Sequence, residues 1–466
     1  MTFAIRGDIM GALEARFLLS KTDLGLIAGT AFWGFTLSIF VGGQLCDIFG
    51  MKRILGLAFI CHIAGCVTTI FAGGFWMLFW GTLLIGLANG SVEAAINPLI
   101  TTIYSEEKTR KLNALHAWFP GGIVIGGLLA YAFSLIGLGW QMKMAAIFVP
   151  TIIYGILFVG LKLPDTERVQ SGVATKSMYK EALKPLFILW VFCMICTAST
   201  ELGPNQWVPN VLGVTAGAAG ILVLCWINGL MAIGRLVAGP VVHKLSPIGL
   251  LIVSAILSAI GLLAMSYATS AVPAYVAATV FALGVCYFWP TMLGVTAERF
   301  PKGGALLLGI MGAVGMLSVA AVLPTMGRIN DQYTLAALKP AETIAILSAA
   351  KKDVPDAAAV LKMKGDKAIS ELPAGAVVGA LHESNKALTV DGKPADIPVE
   401  GQTSTITVPG VLTPALAQGG AMSFRYVVIL PCILILIFGG IFLYDKSRGG
   451  YKIEKLDKAA PEKTKV

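Results

Sequence analysis

The 466-residue sequence predicts an all-α polytopic membrane protein, and three observations carry that prediction. Hydrophobic residues make up 56% of the chain and charged residues only 13%, half the share of about 25% found in soluble domains. Mean hydropathy is +0.79, more apolar surface than a water-facing domain can accommodate. Apolar runs long enough to cross a bilayer, about 20 residues each, recur along the chain. An ordinary soluble enzyme is thereby excluded. The net charge of +9 comes from short clusters between apolar runs, so the implied partner is the lipid bilayer and no nucleic acid. All eight cysteines lie inside apolar runs; no disulfide framework follows, and Cys193-x-x-Cys196 reads as helix lining. Arg6 and Asp8 interrupt the first apolar stretch, so it does not read as a cleavable signal peptide.

Eleven stretches qualify as spanning helices: 24–46, 54–73, 76–103, 113–137, 141–162, 185–212, 218–243, 247–268, 272–297, 302–327 and 424–444. Residues 1–13 precede them and read as half a spanning helix, under about 20 Å at 1.5 Å per residue. The expectation is twelve helices, the first lacking its N-terminal half because the start lies upstream; eleven helices with a re-entrant start is the alternative. The short loops and tail on one side carry twenty lysines and arginines, against three on the other (Arg16, Lys21 and Lys143). The positive-inside rule makes the first side cytoplasmic, C-terminus included.

The domain plan follows. Residues 1–162 form an N-terminal six-helix bundle, 163–184 a polar cytoplasmic linker, and 185–327 helices 7–11 of a second bundle. An insertion follows at 328–421, periplasmic or extracellular, then helix 12 at 422–444 and a basic cytoplasmic tail at 445–466. The halves echo each other: Asn97-Pro98 with Ser105-Glu106 matches Trp289-Pro290 with Ala297-Glu298 at an offset of 192, and Gly43 matches Gly239 at 196. Repetition at this period suggests related bundles with a site between them near the midplane. The insertion, with seven prolines and one aromatic residue, permits only a marginal core: a small accessory domain or a disordered loop. Short helices are expected at 341–350 and 355–363, and a hairpin turn at Asp391-Gly392.

The strongest motif is Gly43-x-x-x-Asp47-x-x-Gly50-x-Lys52-Arg53, between helices 2 and 3. Its glycines allow close helix approach, Asp47 suits a positive helix N-terminus, and the cations favour the cytoplasmic face. It matches the loop signature of the major facilitator superfamily, which the helix count, central linker and repeat also resemble everywhere except 328–421. The resemblance implies that this motif gates conformational change and does not bind solute.

Ionisable groups inside spanning helices are costly and therefore functional candidates: Arg6 and Asp8, Glu93, Glu201 and Arg235. Glu93 lies among small residues, surroundings that suit loading and releasing a proton. Arg235 with His243 and Lys244 reads as an echo of the gating loop, and His62 as a packing residue. Glu93-x-Ala95-x-Asn97-Pro98 resembles the helix-4 pattern of the fucose/galactose/glucose:H+ symporter (L-fucose permease-like) family. So do Gly7-Asp8-Ile9, Leu112-Asn113 and Trp289-Pro290-Thr291. The resemblance implies that Asp8 and Glu93 couple the proton. Arg6 departs from the family's neutral residue; it is either a counter-ion to Glu93 or Glu201, or a clamp for an anionic substrate. On helix 7, Gly203-Pro204 is expected to break the helix and expose Asn205, Gln206 and Trp207, with Trp207 as an interface anchor in the alternative. Asn228 on helix 8 and His116, Trp118 and Phe119 on helix 5 complete the cavity candidates. The substrate-binding set is Arg6, Asn97, His116, Glu201, Asn205, Gln206, Trp207, Asn228 and Trp289.

No Walker loop, dinucleotide fingerprint, metal spacing or nucleophile triad occurs, so neither enzyme activity nor a cofactor is expected. The reading is a monomeric inner-membrane secondary transporter that imports a sugar or sugar acid with protons by alternating access. The alternatives are an organic-anion antiporter, an exporter of apolar compounds, or a non-transporting sensor working through 328–421.

Overall fold

The computed structural model describes residues 1–17, 21–172, 175–216, 220–390, 392–399 and 404–454. Helices 1–6 run Thr2–Phe17, Lys21–Phe49, Met51–Ile70, Phe75–Ile103, Lys108–Leu135 and Trp140–Val159. Helices 7–12 run Pro185–Thr215, Gly220–Leu236, Lys244–Ser266, Ala271–Arg299, Gly304–Ala337 and Val408–Ser447. Among the described residues, ten helices are long and apolar enough to cross a membrane. Helix 2 shows the logic: Ala31, Phe35 and Ile39, four apart, are buried, whereas Trp33 and Leu37 on the other face are 61% and 58% exposed. Large apolar side chains facing outward are the signature of lipid as solvent.

Two bundles repeat one packing scheme. In the first, helices 2 and 3 pack on helix 4, helix 1 on helix 5 and helix 3 on helix 6; in the second, 8 and 9 pack on 10, 7 on 11 and 9 on 12. Glycines permit the closest approaches. A Cβ on Gly90 would stand 2.2 Å from Ser38 Oγ, and one on Gly284 2.3 Å from the Ser258 backbone nitrogen. The bundles meet through helix 2 against 11, helix 5 against 8, and the start of helix 5 against the end of helix 10.

Several boundaries differ from expectation. Helix 7 runs unbroken through Gly203-Pro204, so the predicted break is absent. Gly203 instead lets helix 11 close in, with Val322 and Met326 against it, and that packing holds the segment helical. Past helix 8 the chain is helical again from Ala238, with a sharp turn at Ser246 (φ 61°) near the start of helix 9, between the two stretches the sequence assigns to helices 8 and 9. Helices 11 and 12 extend to Ala337 and from Val408, further than hydropathy suggests, because they also carry the insertion. That segment folds as Pro340–Ala350, Pro355–Lys364 and Ala374–Ala387, the third helix being unanticipated. Its own core includes Ile346, Leu347, Val360, Val377, Leu381 and Ile397. Asp391 of the expected turn lies outside the described residues; the flanking Val390 and Lys393 pair antiparallel. Among the described residues of the linker, Glu167–Gln170 is a short helix capped by Thr166.

Candidate functional site

One end of the molecule, where helices 2 and 3 join, is closed. Gly50 makes the turn at φ 83°, a conformation side chains resist. A Cβ on Gly43 would stand 2.6 Å from the Ala305 carbonyl oxygen, so helices 2 and 11 meet backbone to backbone. Asp47 accepts hydrogen bonds from Arg168 Nε at 2.7 Å and Thr166 Oγ1 at 2.6 Å; the linker supplies the positive partner along with the capping residue of its short helix. Lys52 donates to the carbonyls of Val159 and Leu161 at 2.9 and 2.8 Å, where helix 6 ends and a cation is favoured. Arg53 donates to Phe49 O at 3.3 Å. Across the bundle interface, Thr109 donates from its backbone nitrogen (3.1 Å) and its hydroxyl (2.7 Å) to Glu298 on helix 10.

Between the bundles, toward the opposite end, lies a chamber of about 400 Å³. Asp8 lines one wall and Asn205, Gln206 and Asn228 the other. Asp8 is 2.5 Å from Lys143 Nζ, which also donates to Ser134 Oγ at 2.7 Å. Asn228 donates to Asn205 Oδ1 at 3.4 Å and to the Leu224 carbonyl at 2.9 Å. Pro209 cannot donate to the Asn205 carbonyl, which leaves that acceptor free of its helical bond beside the amides.

Beneath the chamber is a polar network that joins both bundles. Trp289 Nε1 on helix 10 donates to Glu93 Oε1 on helix 4 at 2.8 Å. Asn97 Nδ2 reaches the same oxygen at 3.5 Å, and His116 Nε2 is 3.0 Å from Asn97 Oδ1. On the other side Arg235 donates to Glu201 Oε1 at 2.6 Å, to Cys286 O at 2.5 Å and to His116 O at 3.1 Å, with both members of the ion pair almost wholly buried. Phe119, Leu202 and Met316 line both the chamber and the narrow space containing Glu93 and Arg235, and so divide them. A further cavity of about 410 Å³ lies within the first bundle, lined by Glu93 and His116 and bordered by Phe119. There His62 is 2.9 Å from the Tyr154 hydroxyl and 3.0 Å from Asn89 Oδ1, which makes it part of a polar cluster as well as a packing residue.

The structure therefore sorts the candidates. Glu93, Asn97, His116, Glu201 and Trp289 come together; Asp8, Asn205, Gln206 and Asn228 gather in the chamber above. Two candidates fall elsewhere. Arg6 points into the first bundle, its guanidinium over the Phe3 and Phe32 rings at 4.9 and 5.7 Å, and is neither a counter-ion to Glu93 or Glu201 nor placed against the chamber. Aromatic faces satisfy it, and Glu201 already has Arg235. Trp207 lies against Gly327 of helix 11, because two residues turn a helix through about 200° and carry it away from the Asn205 face. Arg235 is no echo of the gating loop, since it sits buried at the bundle interface. Its signal, a cation within an apolar helix, was present in the sequence. Lys143 was legible only as a loop charge.

The Major Facilitator Superfamily profile matches residues 3–333. The chain is 25% identical over 255 residues to the hexuronate transporter of Bacillus subtilis, covering 50% of this chain and 59% of that protein. It is 26% identical over 167 residues to the D-xylose transporter of Levilactobacillus brevis, covering 35% and 34%. The first curated relatives are matched over only about a third of their own length or less. Among solved structures, the fucose:proton symporter of E. coli superposes with a TM-score of 0.58 at 15% identity, over 71% of this chain and 89% of that one. The human organic anion transporter MFSD10 does so with a TM-score of 0.56 at 10% identity, over 93% and 89%. These likenesses establish the fold, and the profile spans most of the sequence: the chain belongs to the Major Facilitator Superfamily of membrane transporters.

Proposed function

We propose that this protein imports a sugar or sugar acid together with protons by alternating access, in the plasma (inner) membrane and with its C-terminus cytoplasmic. The observation that carries the reading is the Glu93–Trp289 contact, a carboxylate of one bundle held by a donor of the other beneath the chamber that Asp8, Asn205, Gln206 and Asn228 line. A proton on Glu93 weakens the charge-assisted part of that bond, and so changes the relative free energy of the two bundle arrangements. In the chamber, the amides of Asn205, Gln206 and Asn228 face the Asp8 carboxylate, a donor and acceptor set suited to a polyhydroxylated solute. The relatives named for hexuronate and D-xylose are consistent with that class. By the count of basic loop residues the closed end is cytoplasmic.

One observation favours a second reading, an organic-anion carrier: Arg235 lies below the chamber, and protonation of Glu201 would release its charge toward an anionic solute. Proteoliposome uptake across neutral and acidic sugars, with and without an inward pH gradient, separates the two. In the same assay Glu93→Gln should retain exchange of labelled solute while pH-driven accumulation falls. Proton-driven uptake unchanged in that variant removes Glu93 from the coupling step.

A further inference from the structure

The described residues after helix 12 return to the closed end and meet the residue that joins the bundles there. Tyr451 donates its hydroxyl to Glu298 Oε2, while Glu298 Oε1 accepts both bonds from Thr109 of the opposite bundle. The backbone nitrogen of Glu454 donates to the Glu298 carbonyl at 2.9 Å. The neighbouring Arg299 stacks over the Tyr451 ring at 4.9 Å and pairs with Asp445 at the end of helix 12. One carboxylate thus has its two oxygens divided, one toward the interface between bundles and one toward the tail.

Glu298 needs that arrangement to serve the interface. Its side chain sits in a crowded place: a Cβ on Gly294, one turn earlier, would stand 2.3 Å from Thr109 Oγ1. A carboxylate bonded on one oxygen only can rotate about its last torsion, which is broad and roughly two-fold. The phenol fixes the second oxygen and so aims the first at Thr109. Burial beside this carboxylate holds the Tyr451 hydroxyl well above the ordinary tyrosine range, so it stays a donor at any physiological pH.

We propose that residues 449–454 are a strap that holds the cytoplasmic gate closed, with Tyr451 as the positioning residue that orients Glu298 toward Thr109. The inference rests on the reading that this end opens during the cycle, but on neither the solute nor the proton. When the bundles separate here, Thr109 leaves Glu298, and the strap travels with the second bundle. Loosening the strap therefore weakens the closed state without touching the chamber.

The test uses Thr101, which is buried beneath the closed gate beside Arg168, Gly304 and Leu308. In full-length protein with its eight native cysteines replaced by serine or alanine, Thr101→Cys is labelled with a membrane-impermeant maleimide from the gate side. Adding Tyr451→Phe, which keeps the ring and removes only the hydroxyl, should speed labelling about tenfold, the effect of roughly 1.4 kcal/mol. Tyr444→Phe, on helix 12 and stacked with Arg448, should leave the rate unchanged. Ser258→Cys, fully buried between helices 9 and 10 of one bundle, reports global unfolding and should stay unlabelled throughout. Labelling of Tyr451→Phe at the parent rate overturns the strap. Absence of labelling in every variant, including Arg168→Ala at the Asp47 pair, overturns both the strap and the opening of this end.

Discussion

At the scale of single residues, the chemistry is set by which charges find partners. Glu201 and Arg235 are each almost wholly buried, and a buried pair is costly to break from one side because the survivor is left uncompensated. Arg235→Gln should therefore lower stability by about 3–5 kcal/mol, read as a lower melting temperature in detergent. The double change Glu201→Gln with Arg235→Gln should recover much of that loss; a double variant as unstable as the single one contradicts the argument. Asp8 is a different case, at the chamber wall and about a third exposed, so Lys143→Met should change stability little, by less than about 1 kcal/mol. Both intramembrane carboxylates were legible in the sequence because an acid in an apolar helix stands out. Their partners were not. Lys143 is 135 residues from Asp8, and Arg235 is 34 from Glu201.

At the scale of elements, close backbone approach governs what the helices do. Gly43 and Gly294 both sit where the bundles touch at the closed end, with backbone or side-chain oxygens of the opposite bundle nearer than any Cβ tolerates. Gly294→Val should hold that end apart, raising maleimide labelling of Thr101→Cys while leaving the chamber residues in place; labelling at the parent rate would refute this. The Ser246 turn makes a second element-level prediction. Its backbone, φ 61° and ψ 160°, lies in a region suited to glycine and costing other residues about 1–3 kcal/mol. Its hydroxyl accepts only a 3.3 Å bond from the Gly249 nitrogen, and a glycine cap costs a few tenths of a kcal/mol. Ser246→Gly should thus stabilise the protein by about 1 kcal/mol, and a fall in melting temperature would contradict it. The helices themselves were legible from hydropathy, whereas the intact course of helix 7 was not. Proline and glycine weaken a helix locally, and the packing of helix 11 on Gly203 overrides that preference.

At the scale of the whole molecule, two repeated bundles enclose a chamber at one end and lock together at the other. The insertion packs on the extended ends of helices 11 and 12 and builds a core of its own, so it rides on the second bundle. Replacing 340–404 with a short flexible linker should leave solute uptake within about twofold of the parent. Lost uptake with the membrane helices still folded would favour a receptor role for that segment.

The sequence by itself determined that the chain lives in a bilayer, that it crosses many times, that its halves are related, and which acids are worth suspecting. Those are properties of composition and period, which survive without knowledge of neighbours. The tertiary structure alone decided that Arg6 turns inward to aromatic rings, that Trp207 packs on helix 11, and that Arg235 belongs to the central network. It also decided that Asp8 and Glu93 lie on opposite sides of a partition made by Phe119, Leu202 and Met316. A helix places its side chains all around its axis, so its sequence states which residues it carries; the direction each one faces is set only when other helices pack against it.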